Sequence, residues 1–363
     1  MALADPGDRD RADRAVVEHL RRRSPRCARS AREGEDRALT TFIIRRIIGM
    51  VAVLFAVSVL VYIVFILVPG GDPAERMAGK NPTPDNIRNI REKWGFNKPF
   101  YVQYGLMMQK AWNGLMPGQH SEYDILRSFD TRQNVVQEIK KGMPATFSLC
   151  IGAGLIWLFF GTLVGVISAV TAGRASDRLI TTLALVGISM PVFWLGIVLR
   201  YFLAEKNQIF PDGGYVPLTQ DPWQWLYHLI LPWFCLAVLF IGFYGRVLRS
   251  NMLDSMNEDY VRTAKAKGIS SRAVLKRHVL RNSLIPIVTL FGLDFAAVLG
   301  GGAILTETVF DLKGVGWYAA QSVGGLDLPP IMGVTLYGAF FIVLFSAIVD
   351  FVYAYLDPRV RPT

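Results

Sequence analysis

The chain has only three cysteines and four histidines among 363 residues. Cys27 lies in a charged amino-terminal stretch, and Cys150 and Cys235 lie inside apolar runs. Three such residues are expected as free thiols, not as a disulfide framework. His19, His120, His228 and His278 are scattered without metal-ligand spacing, so no metal site is expected. No Gly-x-x-x-x-Gly-Lys-Ser/Thr occurs. The sole Gly-Lys pair, Gly79-Lys80, is followed by Asn81. Without that loop the backbone cannot surround phosphates, so any ATP chemistry needs another chain. No Ser-His-Asp or Cys-His arrangement suggests a catalytic residue, and none is assigned. A secretory signal is also missing, because residues 1–40 are charged and the first apolar run is too long.

Acidic residues are the scarcer sign, 29 against 39 basic ones, which gives a net charge of +10. Nucleic acid is not the inferred partner. The cations cluster beside apolar runs, where the positive-inside rule places them. Apolar residues make up 52% of the chain with Gly left out. Soluble domains reach about 45–50% only when Gly is counted. Membrane lipid is therefore the expected solvent for much of the chain.

Six apolar runs are long enough to cross about 30 Å of hydrocarbon, which takes roughly 20 helical residues. They lie near Ile43–Val68, Ala145–Thr171, Leu179–Leu203, Leu226–Leu248, Leu284–Leu305 and Ile331–Tyr355. Residues 1–40 read as a disordered charged tail. The remaining segments are span one over 41–68, an external subdomain over 69–144, and a five-helix core over 145–356. A tail over 357–363 follows. Lys and Arg flank the runs at 45–46, 174–178, 246–281 and 359–361. That bias predicts a multi-pass cell-membrane protein, in the inner or plasma membrane, with both termini cytoplasmic.

Within the external segment, Pro84 to Lys93 is predicted as a helix, with Ile87, Ile90 and Trp94 at helical spacing and Gly95 as terminator. Gln133 to Lys140 is predicted as one or two helical turns before Gly142 and Pro144. Pro191 lies midway through the third run, and Gly300-Gly301-Gly302 late in the fifth. These breaks either allow close helix packing or bend a helix along a pathway. Asp294 lies about 12 Å into the fifth run, at 1.5 Å per residue. A carboxylate there lines a pathway or is satisfied by a structural partner. Pathway candidates are therefore Asp294, Gly301 and Pro191.

The cation-rich loop over 249–283 holds the most informative stretch. Asp254 and Ser255 can start a helix, Gly268 can end it in a left-handed turn, and Ser270 or Ser271 can cap a second helix carrying Leu275, Val279 and Leu280. Two short helices joined at a Gly could wedge into a partner, or the loop could simply set topology against headgroups.

Ordered motifs over about nine-tenths of the chain carry a resemblance. They include Leu67-Val68-Pro69-Gly70-Gly71-Asp72-Pro73, Trp94-Gly95-Phe96-Asn97-Lys98-Pro99, Gln103-Tyr104 and Pro144-Ala145-Thr146. Then come Ile188-Ser189-Met190-Pro191-Val192-Phe193-Trp194, Leu305-Thr306-Glu307-Thr308-Val309-Phe310, Gly314-Val315-Gly316 and Asp357-Pro358-Arg359. The chain resembles inner-membrane permeases of the peptide and nickel branch of ABC importers, most nearly the first permease of dipeptide and oligopeptide systems. The family's EAA loop reads Glu-Ala-Ala, three residues, then Gly. Here Arg262, Thr263 and Ala264 fill the first three places before Gly268. Lys313 stands where relatives often have Pro, and Asp294 where dipeptide-type relatives tend to have an uncharged polar residue.

The resemblance implies an all-α polytopic protein with six transmembrane helices, a type I ABC importer permease fold, and an external insert between helices one and two. It implies a permease subunit of an ATP-driven importer of short peptides that forms half of a translocation pathway. It implies ATPase coupling through Glu258, Tyr260, Arg262, Ala264, Lys265, Lys267, Gly268, Arg277, His278 and Pro286. Implied partners are a second homologous permease, two ATP-binding subunits that hold ATP and Mg, and an external substrate-binding lipoprotein. No cofactor is expected in this chain. Docking candidates for the binding protein are Asp72, Trp112, Glu307, Phe310 and Gly316. The same framework also serves nickel, glutathione or oligosaccharide import. An ion-coupled carrier acting alone is the rival from another class.

Overall fold

The computed structural model describes residues 44–64, 72, 74–75, 78, 83–115, 127–128, 131–325 and 327–356. The predicted tails over 1–40 and 357–363 lie outside them. The described residues from 54 to 356 form one compact unit, and those from 44 to 53 fall in another. Of the latter, the start of helix α1 (Ile44–Tyr62) is described, with Ile44, Ile47, Ile48 and Val51 exposed.

Among the described residues, five helices are long and apolar enough to cross a membrane, and six if a bent pair counts as one span. They are α1, α4 (Val135–Val170), α7 (Pro222–Met256), α9 (Ser271–Gly302) and the span Pro329–Phe351 within α12 (Leu328–Leu356). The bent pair is α5 (Ala175–Ser189) and α6 (Val192–Lys206), at 97° to each other. Pro191 stands at the break. Proline fixes its own φ and pushes the residue before it out of the helical region, and Met190 is extended at ψ 126°.

Three expectations need correction. The helix that carries the second span does not begin at Ala145. Asn134 caps α4, accepting from the N–H groups of Val136 and Gln137, and the helix runs unbroken through Gly142 and Pro144. The expected boundary at 144/145 therefore falls inside one helix. Tertiary packing overrides the local breakers, since a Cβ on Gly142 would lie 2.8 Å from the backbone of Gly314. Asp254 and Ser255 do not start a helix either. They end α7, which continues unbroken from the fourth span to Met256. The second piece of the cation-rich loop is not a short helix. It is the first part of α9, which stays helical through wide π-type turns at Leu275–Leu280 into the fifth span.

Small residues set the helix contacts of the core. Gly161 and Gly165 of α4 abut Tyr244 and Leu248 of α7, and Gly338 of α12 abuts Gly300 of α9. In lipid, where apolar contact gains little over apolar solvent, such close approach supplies the packing energy. Leu149, Trp157, Leu236, Tyr244, Leu248, Phe295 and Leu299 lie in the main buried cluster.

The segment between the first and second spans takes part in a second, small buried cluster. Helix α2 (Pro84–Trp94) has Thr83 as N-cap, Pro84 in its first turn, and Gly95 at φ 69° as the left-handed terminator. It packs with α3 (Phe100–Leu115) and the end of α1 through Val61, Tyr62, Ile90 and Met107. Tyr62 donates to Gln103 Oε1 at 2.7 Å, and the hydroxyls of Ser58 and Tyr104 lie 2.6 Å apart. The Gln103-Tyr104 motif therefore ties α3 to the first span.

Candidate coupling surface and pathway

The coupling candidate is α8 (Asp259–Ala266), an eight-residue helix directly after α7. Val261 is fully buried and Ala264 is 5% exposed, both in one cluster with Leu248 and Met252 of α7 and Val274 and Val279 of α9. Positions 261 and 264 are one turn apart, so α8 rests on the base of the fourth and fifth spans by one narrow apolar stripe. Its other residues are exposed.

Gly268 ends the helix at φ +77°. Ile269 N–H donates to Ala264 O at 3.3 Å and Gly268 N–H to Lys265 O at 3.0 Å, which closes the last carbonyls of α8. A left-handed residue here reverses the chain into α9, and a Cβ at 268 would meet no atom within 4 Å. The constraint is backbone conformation, not space.

Polar contacts join the same elements. Asn282 Nδ2 donates to the Tyr260 hydroxyl at 3.1 Å, and Ser283 Oγ to Ser255 Oγ at 3.2 Å. The surface around them is cationic. Arg262 meets Asp259 at 3.4 Å, an exposed pair worth little on its own. Among the described residues, Lys265, Lys267, Arg272, Lys276 and Arg277 have no carboxylate within salt-bridge distance. Glu258 and Pro286 are exposed and His278 half-buried. Among the coupling candidates, Ala264 is the buried anchor of α8.

Sequence reasoning missed a residue beneath this surface. Asp177, in the first turn of α5, accepts from Arg249 Nε and Nη2 at 2.8 Å each. It also accepts from Gly173 N–H at 2.9 Å, Thr181 Oγ1 at 3.4 Å and Ser168 Oγ. Its side chain is 5% exposed. The available signal was a lone Asp between Arg174 and Arg178, read there only as a cationic flank.

The pathway candidates separate in the fold. Asp294 accepts from the buried Tyr244 hydroxyl at 2.7 Å. Around that pair Trp157 stacks on Phe240 at 4.4 Å, and Phe295 meets Phe345 at 5.1 Å. A structural partner for Asp294 therefore exists within the chain, and the carboxylate is half-buried. Gly301 has φ 144° and breaks the helical path near the end of α9. Pro191 marks the 97° bend.

At the other end, three docking candidates need correction. Glu307 is 0% exposed, Phe310 is 1% exposed, and Gly316 is buried. None can offer a side-chain surface to a partner. Glu307, on α10 (Ile304–Val309), instead accepts from Thr146 Oγ1 at 2.7 Å and from Trp317 N–H at 2.9 Å. The Gly316 N–H bonds it too. Val315 N–H donates to Thr146 Oγ1 at 2.8 Å. The carboxylate sits at the amino terminus of α11 (Val315–Gly324), where unsatisfied N–H groups and the helix dipole favour negative charge. A Cβ on Gly314 would lie 2.3 Å from Glu307 Oε2 and 2.6 Å from Thr146 Oγ1. The motifs Pro144-Ala145-Thr146, Leu305-to-Phe310 and Gly314-Val315-Gly316 therefore meet in one buried knot. Burial pushes the Glu307 carboxyl above its usual range, and these hydrogen bonds oppose the shift.

Asp72 pairs with Arg91 of α2 and accepts from Ala74 N–H at 2.9 Å. The side chain of Trp112, near the end of α3, lies outside the described residues. Among the described residues no group of three or more His, Cys, Asp or Glu could hold a metal ion.

Comparison with known proteins adds to this geometry. The model for the binding-protein-dependent transport system inner membrane component matches residues 161–362, and the model for that component's N-terminal part matches residues 39–150. A relative from Brucella abortus, named as a peptide transport system permease protein, is 36% identical over 323 residues. The match covers 89% of this chain and 99% of the relative. The glutathione transport system permease protein of Escherichia coli is 35% identical over 324 residues, covering 89% of this chain and 99% of its own. Among solved structures, the inward-facing methionine ABC transporter MetNI aligns with a TM-score of 0.50 at 16% identity. That alignment covers 61% of this chain and 98% of the other. At that identity the likeness shows the fold alone, that of a type I permease.

Proposed function

The chain belongs to the family of binding-protein-dependent transport system inner membrane components, and on that premise we propose that it forms half of a translocation pathway for short peptides, driven through α8. ATP hydrolysis belongs to separate subunits of such systems. The proposed assembly has a second homologous permease, two ATP-binding subunits that hold ATP and Mg, and an external substrate-binding lipoprotein. Both termini are placed on the cytoplasmic side with α8, by the cation bias of that end.

One observation carries the coupling role. The helix α8 is anchored by only Val261 and Ala264, tied to the fourth and fifth spans, and exposed on every other side. A helix so mounted transmits displacement to two spans while leaving a free cationic face for a partner. Closure of the ATP-binding subunits would press on α8 and open the pathway outward, and hydrolysis would reset it. Short peptides are the substrate class because relatives covering nearly the whole chain carry peptide and glutathione names, and glutathione is itself a tripeptide.

The test is mass spectrometry of what co-purifies with the tagged chain from its own membranes in mild detergent. Two ATP-binding subunits, a second permease and a lipoprotein are expected. Recovery of the chain alone, monodisperse and in good yield, would move the reading to a self-contained carrier.

A further inference from the structure

We propose that Asp177 and Arg249 are positioning residues that make the second span, the first half of the third span and the fourth span move as one body with the coupling helix. This rests on the importer reading above and adds to it the path by which displacement leaves α8.

The argument starts from connectivity. Arg249 lies on α7, seven residues before that helix ends at Met256, and α8 follows at Asp259. Seven helical residues are about 10 Å. A displacement of α8 therefore reaches Arg249 through the short turn at Asn257–Glu258 and the last turns of α7, and through the buried cluster that Val261 and Ala264 share with Leu248 and Met252. From Arg249 the link is bidentate, with two parallel N–H···O bonds of 2.8 Å to Asp177. A paired fork fixes both distance and orientation, which one ammonium contact does not.

Asp177 then distributes the link. Ser168 lies near the end of α4, Gly173 in the turn after it, and Thr181 one turn further along α5. One carboxylate thus collects donors from both sides of the connection between the second and third spans and from the fourth. Gly242 of α7 also abuts the Ala184 carbonyl of α5, so the two helices stay in contact beyond the clasp. The bend at Pro191 lies past this region. The clasp therefore joins only the half of the third span that precedes the bend; α6 meets α7 by its own contact, Cys235 Sγ donating to Val192 O at 3.3 Å.

The experiment uses the full complex in nanodiscs, with its ATP-binding subunits, sister permease and external binding protein, and dialanine as the probe peptide. ATP hydrolysis is measured with and without the loaded binding protein for the parent, Arg249→Lys and Asp177→Asn. Arg249→Lys keeps the cation and loses the fork. Asp177→Asn keeps the shape and loses the charge. The expected result is that both variants assemble and retain unstimulated hydrolysis, while stimulation by the binding protein falls about tenfold. Unchanged stimulation in either variant overturns the proposal. Failure of both variants to assemble does so too, because it assigns the pair to folding alone. A parent chain that never recruits ATP-binding subunits would instead defeat the importer reading.

Discussion

Two buried carboxylates grip the same helix at opposite ends, and they are held in opposite ways. Asp177 reaches α4 through Ser168, and Glu307 reaches it through Thr146. Twenty-two residues separate those contacts along the helix, about 33 Å at 1.5 Å per residue and close to one hydrocarbon thickness. At the α8 end a guanidinium neutralises the charge. At the other end no cation among the described residues is bonded to the carboxylate. A threonine hydroxyl and backbone N–H groups at a helix start hold it instead. The first arrangement locks α4, α5 and α7 together through an ion pair whose Arg249 keeps some contact with solvent. The second buries its acid completely and fixes α4, α10 and α11 together. The comparison assigns a solvent-touched ionic joint to the coupling end and a dry, more rigid knot to the opposite end.

Breaking the rigid end should give the larger effect. Glu307→Ala leaves Thr146 Oγ1 and the N–H groups of Trp317 and Gly316 without their acceptor in a dry site, an expected loss of about 3–4 kcal/mol. Thermal unfolding in detergent should show a large drop in midpoint. A drop smaller than that of Arg249→Leu would invert the comparison. Arg249→Leu removes the neutralising partner of Asp177. Its expected cost is about 2 kcal/mol, below that of a fully interior pair because Arg249 keeps some contact with solvent. The same unfolding assay reads it, and a neutral outcome would show that the carboxylate is satisfied without its ion pair.

Gly268→Ala should act on coupling more than on stability. The left-handed backbone costs a Cβ-bearing residue about 1 kcal/mol, and Asn tolerates it better than Ala. Substrate-stimulated hydrolysis should fall in the order Gly, Asn, Ala. Equal activity of all three would remove the turn from the mechanism.

The smallest effect sharpens the chemistry of Glu307. Its folded pKa is raised by burial. Such a group contributes stability that is fully present below the unfolded value of about 4.3 and lost as pH rises through the folded value. Glu307→Gln does not titrate. The unfolding midpoint of the parent relative to Glu307→Gln should therefore be highest near pH 4 and decline as pH rises. A difference that grows with pH would mean the site prefers the carboxylate anion.

The spans were legible because apolar runs and flanking cations are local signals. The helix start at Pro84, the terminator at Gly95 and the left-handed turn at Gly268 were legible for the same reason, since each depends on one residue's backbone preference. What failed was long-range. Gly142 and Pro144 read as breakers, yet contact with Gly314 keeps the helix whole. Glu307 read as an exposed external acid, although its three motifs converge 161 residues apart in sequence from Thr146. Asp177 was hidden among the cations of its own flank, because its partner Arg249 lies 72 residues away. Pairings at such separations leave no periodic trace in one sequence.

The central claim is that α8 is the seat of the ATP-binding subunit. The most direct measurement replaces Lys265 by a photo-crosslinking residue in the intact complex, with a second probe at Trp223 on the opposite end, which is 71% exposed. The account predicts that the probe at 265 captures an ATP-binding subunit in a nucleotide-dependent manner and that the probe at 223 does not. Capture only of lipid at 265, in a complex that still hydrolyses ATP on substrate delivery, would contradict it.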